Sequence, residues 1–341
     1  MRKTAIAYLT AMLVTAPIIT AVAEPAGPPL WVEEMMTAGA ALTAQCPAVI
    51  RPPNAYALPI HITEWGMAGP TVLFVHGGVQ WTIGGAPSGG GPSNFAAQKP
   101  LSEQGWRLKL VDRPGFGQSP TRGPDDEEAD AIWIARELGD SAHLIGHSFG
   151  GAEALLAAAR RPRAVRSLIL VEPALQPVLA TEVRSFTDPT SKEAMQIVAK
   201  FFTTARTPGE LARFFSVSLG RGVDGGENIA VAALDAHPET AAALGCAVLQ
   251  ANIAAPWVMR DAAEAVARAH IPVLVISGGY NSGQDKTGEV IARLTHGRHV
   301  IVRSPNHFIQ QSNPADFNKV AADFMRAADK GRTARSSERQ N

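Results

Sequence analysis

Apolar residues are distributed along this chain in short, nearly continuous blocks separated by stretches of helical length. Thr71–Val75, Trp106–Val111, Ala142–Ile145, Val165–Val171 and Pro272–Ile276 are dense in β-branched and aliphatic residues, and Arg298–Arg303 forms a weaker last block. Between and after them, Ala152–Ala159, Ser191–Thr204, Pro208–Leu219, Pro238–Asn252, Thr287–Leu294 and Pro314–Ala328 place their apolar residues at helical spacing. Strands that are apolar at consecutive positions, rather than at every second one, have both faces covered. The pattern therefore predicts an α/β fold with a mostly parallel, doubly wound sheet. In such sheets chemistry gathers beyond the carboxyl ends of the strands. The polar signals lie there: His76-Gly77-Gly78, Asp112-Arg113-Pro114-Gly115-Phe116-Gly117-Gln118-Ser119, Glu172 and Asn306-His307-Phe308.

The most specific signal is Gly146-His147-Ser148-Phe149-Gly150, set between a strand block and a helical run. A serine on so tight a strand-to-helix turn is pushed out above the sheet, and glycines at either side let strand and helix approach. The N-terminus of the following helix favours developing negative charge. Ser148 is the expected nucleophile; the competing reading makes it only a helix cap.

Taken in order, the H-G-G turn, the D-R-x-G-x-G-x-S turn, this elbow and the late N-H-F before a C-terminal helix resemble the α/β-hydrolase family, in its esterase, lactonase and C–C hydrolase group. The likeness runs from about Leu58 to Ala328. It implies a helical cap after the sixth strand of the family fold and an oxyanion hole formed by the backbone N–H groups of Gly78 and Phe149. A weakly nucleophilic hydroxyl needs a base, and His307, in the turn after the last strand, is the best placed of the nine histidines. His76 has the place of an oxyanion-loop scaffold residue, whereas His61, His143, His237, His270, His296 and His299 read as structural.

The acid departs from the family pattern. Relatives carry an Asp after the seventh strand, where this chain has Gly278-Gly279-Tyr280-Asn281. Glu172, at the end of the preceding strand, is the favoured replacement, because some branches of the family place the acid there; Asp285 is the alternative. A serine at 148 excludes the aspartate-nucleophile branches, dehalogenases and epoxide hydrolases. Hydrolysis of a carboxylic ester or lactone is the expected activity, with C–C bond or thioester hydrolysis, and a non-catalytic binding protein of the same fold, as alternatives.

Composition narrows the partners. The 341 residues are 46% hydrophobic and 18% charged, enough for a sizeable core. Lys+Arg and Asp+Glu number 31 each, so no basic excess points to nucleic acid. No phosphate-cradling glycine loop and no Cys/His cluster is present, so no cofactor and no metal is expected; a small-molecule ester or lactone is the expected partner.

The chain divides into an expected signal peptide (1–23), an N-terminal extension (24–57), a first core segment (58–174), a helical cap (175–265), a second core segment (266–328) and a disordered tail (329–341). Arg2-Lys3, the apolar run Thr4–Ala23 and Ala21-Val22-Ala23 before Glu24 have the form of a cleavable export signal, implying a periplasmic or secreted protein with no membrane anchor after cleavage. An oxidising compartment would allow Cys46 and Cys246 to bridge; buried unpaired thiols are the other reading. Near the site, Trp81 in the Gly-rich segment after the oxyanion turn, His147 and Phe308 are candidate pocket residues.

Overall fold

The computed structural model describes residues 30–80, 82–83, 86–87, 89–221 and 229–338. The export-signal segment and Trp81 lie outside these residues. Seven strands form one sheet: β1 (Ile62–Trp65), β2 (Thr71–Val75), β3 (Arg107–Val111), β4 (Ala142–His147), β5 (Val165–Val171), β6 (Val273–Ser277) and β7 (Arg298–Ile301). Their order is β1-β3-β2-β4-β5-β6-β7. Only β1 runs antiparallel, pairing with β3. The expected α/β architecture is therefore present.

Its physical basis is visible in β2. Leu73 and Val75 pack into one core beneath the helices α2 (Glu127–Glu137) and α3 (Phe149–Arg160). Val72 and Phe74 point the other way, into a second core closed by Phe317, Ala321 and Met325 of the C-terminal helix. Every residue of β2 is buried, which is why its sequence shows no polar alternation.

The chain after β5, the strand counted as sixth in the resemblance, is helical: α4 (Pro189–Thr204), α5 (Pro208–Ser218), α6 (Ile229–Ala236) and α7 (Pro238–Gln250). Asp188 and Thr207 cap α4 and α5 by accepting from the N–H groups of Ser191 and Glu210. These helices bury Leu211 against Phe201, Phe202, Phe214 and Phe215, and Leu42 of the N-terminal helix α1 (Leu30–Thr43) closes the same cluster. The cap is thus packed from below by the extension that precedes the core. A disulfide between Cys46 and Cys246 joins the two, with Cα atoms 5.5 Å apart.

Two predicted boundaries are corrected. The cap does not extend to 265, because α8 (Pro256–Arg268) turns Met259, Ala262, Ala263 and Val266 into the core under the sheet. Their spacing is that of one helix face. Nor is the chain disordered from 329. Following α9 (Ser282–Leu294), the last helix, α10, runs from Pro314 to Glu338. Asp329 anchors it by accepting from Arg166, 2.8 Å away, and lies 3.3 Å from His143 on β4. Among the described residues no helix is long and apolar enough to cross a membrane.

Candidate active site

Ser148 lies between β4 and α3 with φ 54° and ψ −122°, a conformation that non-glycine residues rarely adopt and that the surroundings must hold in place. They do so by hydrogen bonds: Ser148 N–H donates to Val171 O at 2.9 Å, and Ser148 O accepts from Ala174 N at 2.9 Å. The adjoining oxyanion turn comes so close that a Cβ on Gly77 would fall 2.4 Å from the Ser148 Cβ. No larger residue fits there. Phe149 occupies the first helical position of α3, where an N–H has no intrahelical acceptor and is free to face a ligand.

His307 follows β7 and is 4% exposed. Its Nδ1 lies 3.2 Å from Glu172 Oε2, the geometry of a bond donated to the carboxylate. Its Nε2 is buried and has no hydrogen-bond partner. Burial holds the imidazole down to about 4, so the ring is neutral at ordinary pH and able to take up a proton. Glu172 itself sits at φ 43° just past β5. Its Oε1 accepts from Gly278 N–H at 2.6 Å, and its Oε2 accepts from Tyr280 O–H at 3.3 Å. Burial pushes the carboxyl up to about 8, against the lowering effect of those two donors.

Asp285, the alternative acid, makes no contact with His307. It accepts from Ser277 Oγ and from Gly279 N–H, the latter at 3.2 Å, and so fixes the turn after β6. Asn281 caps α9 by accepting from the N–H groups of Gly283 and Gln284. The loop after β6 thus supplies two donors to a carboxylate from the neighbouring strand, β5.

The other two histidines near the elbow each make a hydrogen bond through a ring nitrogen, although Nδ1 of His147 is buried without a partner. His76 donates from Nδ1 to Gly77 O at 2.8 Å and accepts at Nε2 from Arg113 N–H at 3.1 Å; burial, reinforced by the Arg113 charge, lowers it to about 3. It is scaffold. His147 is 1% exposed and packs against His307. Its Nε2 donates to His307 O at 2.9 Å, and its ring centroid is 4.7 Å from that of His307. Phe308 is partly exposed and lies 5.7 Å from both rings, centroid to centroid.

Sequence reasoning missed two residues. Tyr280 was part of a loop noted only for its lost acid, and nothing in sequence spacing shows that its hydroxyl meets a carboxylate more than a hundred positions away. The other is Arg113, to which its place in the turn after β3 assigns no role. It is fully buried and donates to Glu153 on α3, to Asp125 at 2.7 Å and to Gly78 O at 2.7 Å. Its guanidinium lies 4.7 Å from the Phe149 ring centroid. Both residues expected to supply oxyanion donors therefore rest on one cation. Burial works against that charge, but Glu153, Asp125 and Asp130 outweigh it and raise the guanidinium pKa. The signal for Arg113 is an arginine just after a strand block, in a turn rich in glycine. Among the described residues no group of three or more His, Cys, Asp or Glu is placed to hold a metal ion.

The model of a family described as the alpha/beta hydrolase fold matches residues 70–314. A 2-hydroxy-6-oxo-6-phenylhexa-2,4-dienoate hydrolase from Comamonas testosteroni is 34% identical over 126 residues, 33% of this chain and 40% of that protein. A pimeloyl-(acyl-carrier protein) methyl ester esterase from Neisseria meningitidis is 45% identical over 65 residues, 19% of this chain and 25% of that protein. The chain spans 40% or less of the length of these two curated relatives. A thermophilic esterase from Thermogutta terrifontis superimposes with a TM-score of 0.53 and 18% identity, covering 83% of this chain and 99% of the other, a likeness of fold.

Proposed function

The chain belongs to the α/β-hydrolase fold family, and from that premise we propose that it is a serine hydrolase cleaving a carboxylic ester or lactone through an acyl-enzyme. The observation that carries this reading is the placement of His307: Nδ1 held by Glu172, and a buried Nε2 without a partner in a ring packed on His147 of the nucleophile elbow. Ser148 Oγ attacks the acyl carbon while its proton passes to His307 Nε2. The carbonyl oxygen becomes an oxyanion facing the N–H groups of Gly78 and Phe149, which stabilise charge only as it develops. The imidazolium formed is stabilised by Glu172 and returns its proton to the departing alkoxide. Water then attacks the acyl-enzyme by the same steps, releasing the acid and restoring the Ser148 hydroxyl.

One curated relative is by name a hydrolase and the other a methyl ester esterase, which supports hydrolysis and, through the second, the ester reading. A panel of p-nitrophenyl esters of graded chain length, run beside lactones, tests it. Ser148→Ala is expected to abolish turnover and labelling by a fluorophosphonate while leaving the unfolding transition in place. Full activity in that variant, or a label on another serine, would rule out the nucleophile.

We also infer export. The first 23 residues have the form of a cleavable signal, and the Cys46–Cys246 bond belongs to an oxidising compartment. Protein recovered from the periplasm should begin at or near Glu24 on N-terminal sequencing; an intact Met1 there would count against this.

A further inference from the structure

We propose that the short strap Leu219–Arg221, which leaves the cap at the end of α5, is a positioning element for the base His307, and that Gly220 is the residue that permits it. The inference rests on the triad reading above and adds to it a part of the cap that acts through the histidine. Two backbone hydrogen bonds make the strap: His307 N–H donates to Leu219 O at 2.9 Å, and Arg221 N–H donates to Pro305 O at 3.1 Å. Between them Gly220 and Asn306 face each other as an isolated antiparallel bridge.

Gly220 has φ +90°, in the left-handed region that glycine enters freely. A Cβ on it would fall 2.7 Å from Pro305 O, 2.9 Å from Asn306 Cα and 3.1 Å from Tyr280 Cδ2. The first two are backbone atoms of the histidine loop and cannot swing aside. The third belongs to the ring whose hydroxyl donates to Glu172. Any side chain at 220 therefore pushes on the base loop and on the acid's support together.

The peptide groups on either side of the His307 Cα are both anchored. Its N–H is held by the cap, and its carbonyl by His147, the residue preceding the nucleophile. With Nδ1 on Glu172, the only polar atom of the residue left without a partner is Nε2. Misplacing a reacting group by about 1 Å can cost on the order of a hundredfold in rate. A base on a loop needs such anchors more than one on a strand does, and here the cap supplies one of them. The cap thus helps to hold the catalytic machinery as well as cover it.

The test uses Gly220→Ala and Gly220→Asn in the full chain, with asparagine included because it tolerates positive φ while still adding the obstructing Cβ. In either variant that retains a cooperative unfolding transition, kcat for p-nitrophenyl acetate should fall at least about tenfold with KM within about threefold, since an interaction felt mainly in the transition state is lost. The rate of phosphorylation of Ser148 by diethyl p-nitrophenyl phosphate, which needs the same base, should fall in parallel. Wild-type kcat and labelling rate, or a rise in KM alone, would overturn the proposal and make the strap a mere pocket wall. Should neither variant fold, amide exchange in the native protein decides: His307 and Arg221 should be protected to the same degree, and a protected His307 beside a freely exchanging Arg221 would refute the strap. Failure of the function reading is distinguishable, because the wild-type protein would then neither turn over the ester nor be labelled at Ser148.

Discussion

At the scale of single residues, the deciding feature is the Glu172 carboxylate just past β5, held by the loop after β6 and 3.2 Å from His307 Nδ1. Glu172 stabilises the imidazolium only when ionised, and its hydrogen bonds from Gly278 and Tyr280 favour that form against the burial that raises it to about 8. The sign follows: as pH falls through that region Glu172 takes up a proton, so kcat/KM should decline toward acid from a limb near 8 that belongs to the Glu172–His307 pair. Tyr280→Phe removes a donor to the carboxylate and should move the limb to higher pH. Glu172→Gln should abolish it and lower kcat by on the order of 10⁴, the scale set by loss of the acid in serine triads. A limb near the ordinary imidazole value, unmoved by Tyr280→Phe, would show that Glu172 does not govern it. Asp285→Asn, which loosens only the turn after β6, should cost about tenfold or less, being removed from the proton path.

At the scale of elements, the oxyanion turn, the turn after β3 and the nucleophile helix α3 meet at one buried guanidinium. Arg113 has 0% side-chain exposure, and its partners Asp125 and Glu153 are 2% and 0% exposed. Arg113→Met fills much of the same space but leaves three carboxylates, Asp125, Asp130 and Glu153, buried without their cation, a loss on the order of 3–5 kcal/mol. Denaturant unfolding should read that loss. Turnover of the folded fraction should fall as well, because Gly78 O loses its donor and Phe149 the charge against its ring. Unchanged turnover per folded molecule would mean that the oxyanion turn holds its shape without Arg113.

At the scale of the whole molecule, the cap is held from two directions. The strap at Gly220 ties it to the histidine loop, while the N-terminal helix seals its phenylalanine cluster and is fastened by a bond between residues 200 positions apart. Closing so long a loop removes about 5 kcal/mol of unfolded-chain entropy in the simplest account, and removing a native disulfide typically costs about 2–5 kcal/mol. Cys46→Ser, or reductant added to the native protein, should therefore lower the unfolding free energy read from denaturant curves by that order. Ser148 labelling should persist, because neither sulfur touches the triad. Loss of labelling without loss of stability would place the bond in the catalytic machinery instead.

The order of motifs along the chain was enough to determine the α/β class, the elbow at Ser148 and the loop bearing His307, because each depends on local chemistry: apolar runs that must be covered on both faces, a turn that demands glycine, a polar cluster at a strand end. Glu172 could be favoured over Asp285 on sequence, but the choice depends on which strand end lies beside the histidine loop, and only the packing of β5 against β6 places Glu172 Oε2 at His307. The Cys46–Cys246 bond was one of two readings for the same reason: pairing is a distance between segments far apart in sequence. Tyr280, Arg113 and Gly220 carried no legible role, since each acts through a partner from another element. The end of the cap and the helix beyond 328 were likewise misread, the first decided by which face α8 buries, the second by Asp329 meeting Arg166 and His143 across the fold. Local sequence sets what each segment is able to do; tertiary contact decides which segments do it together.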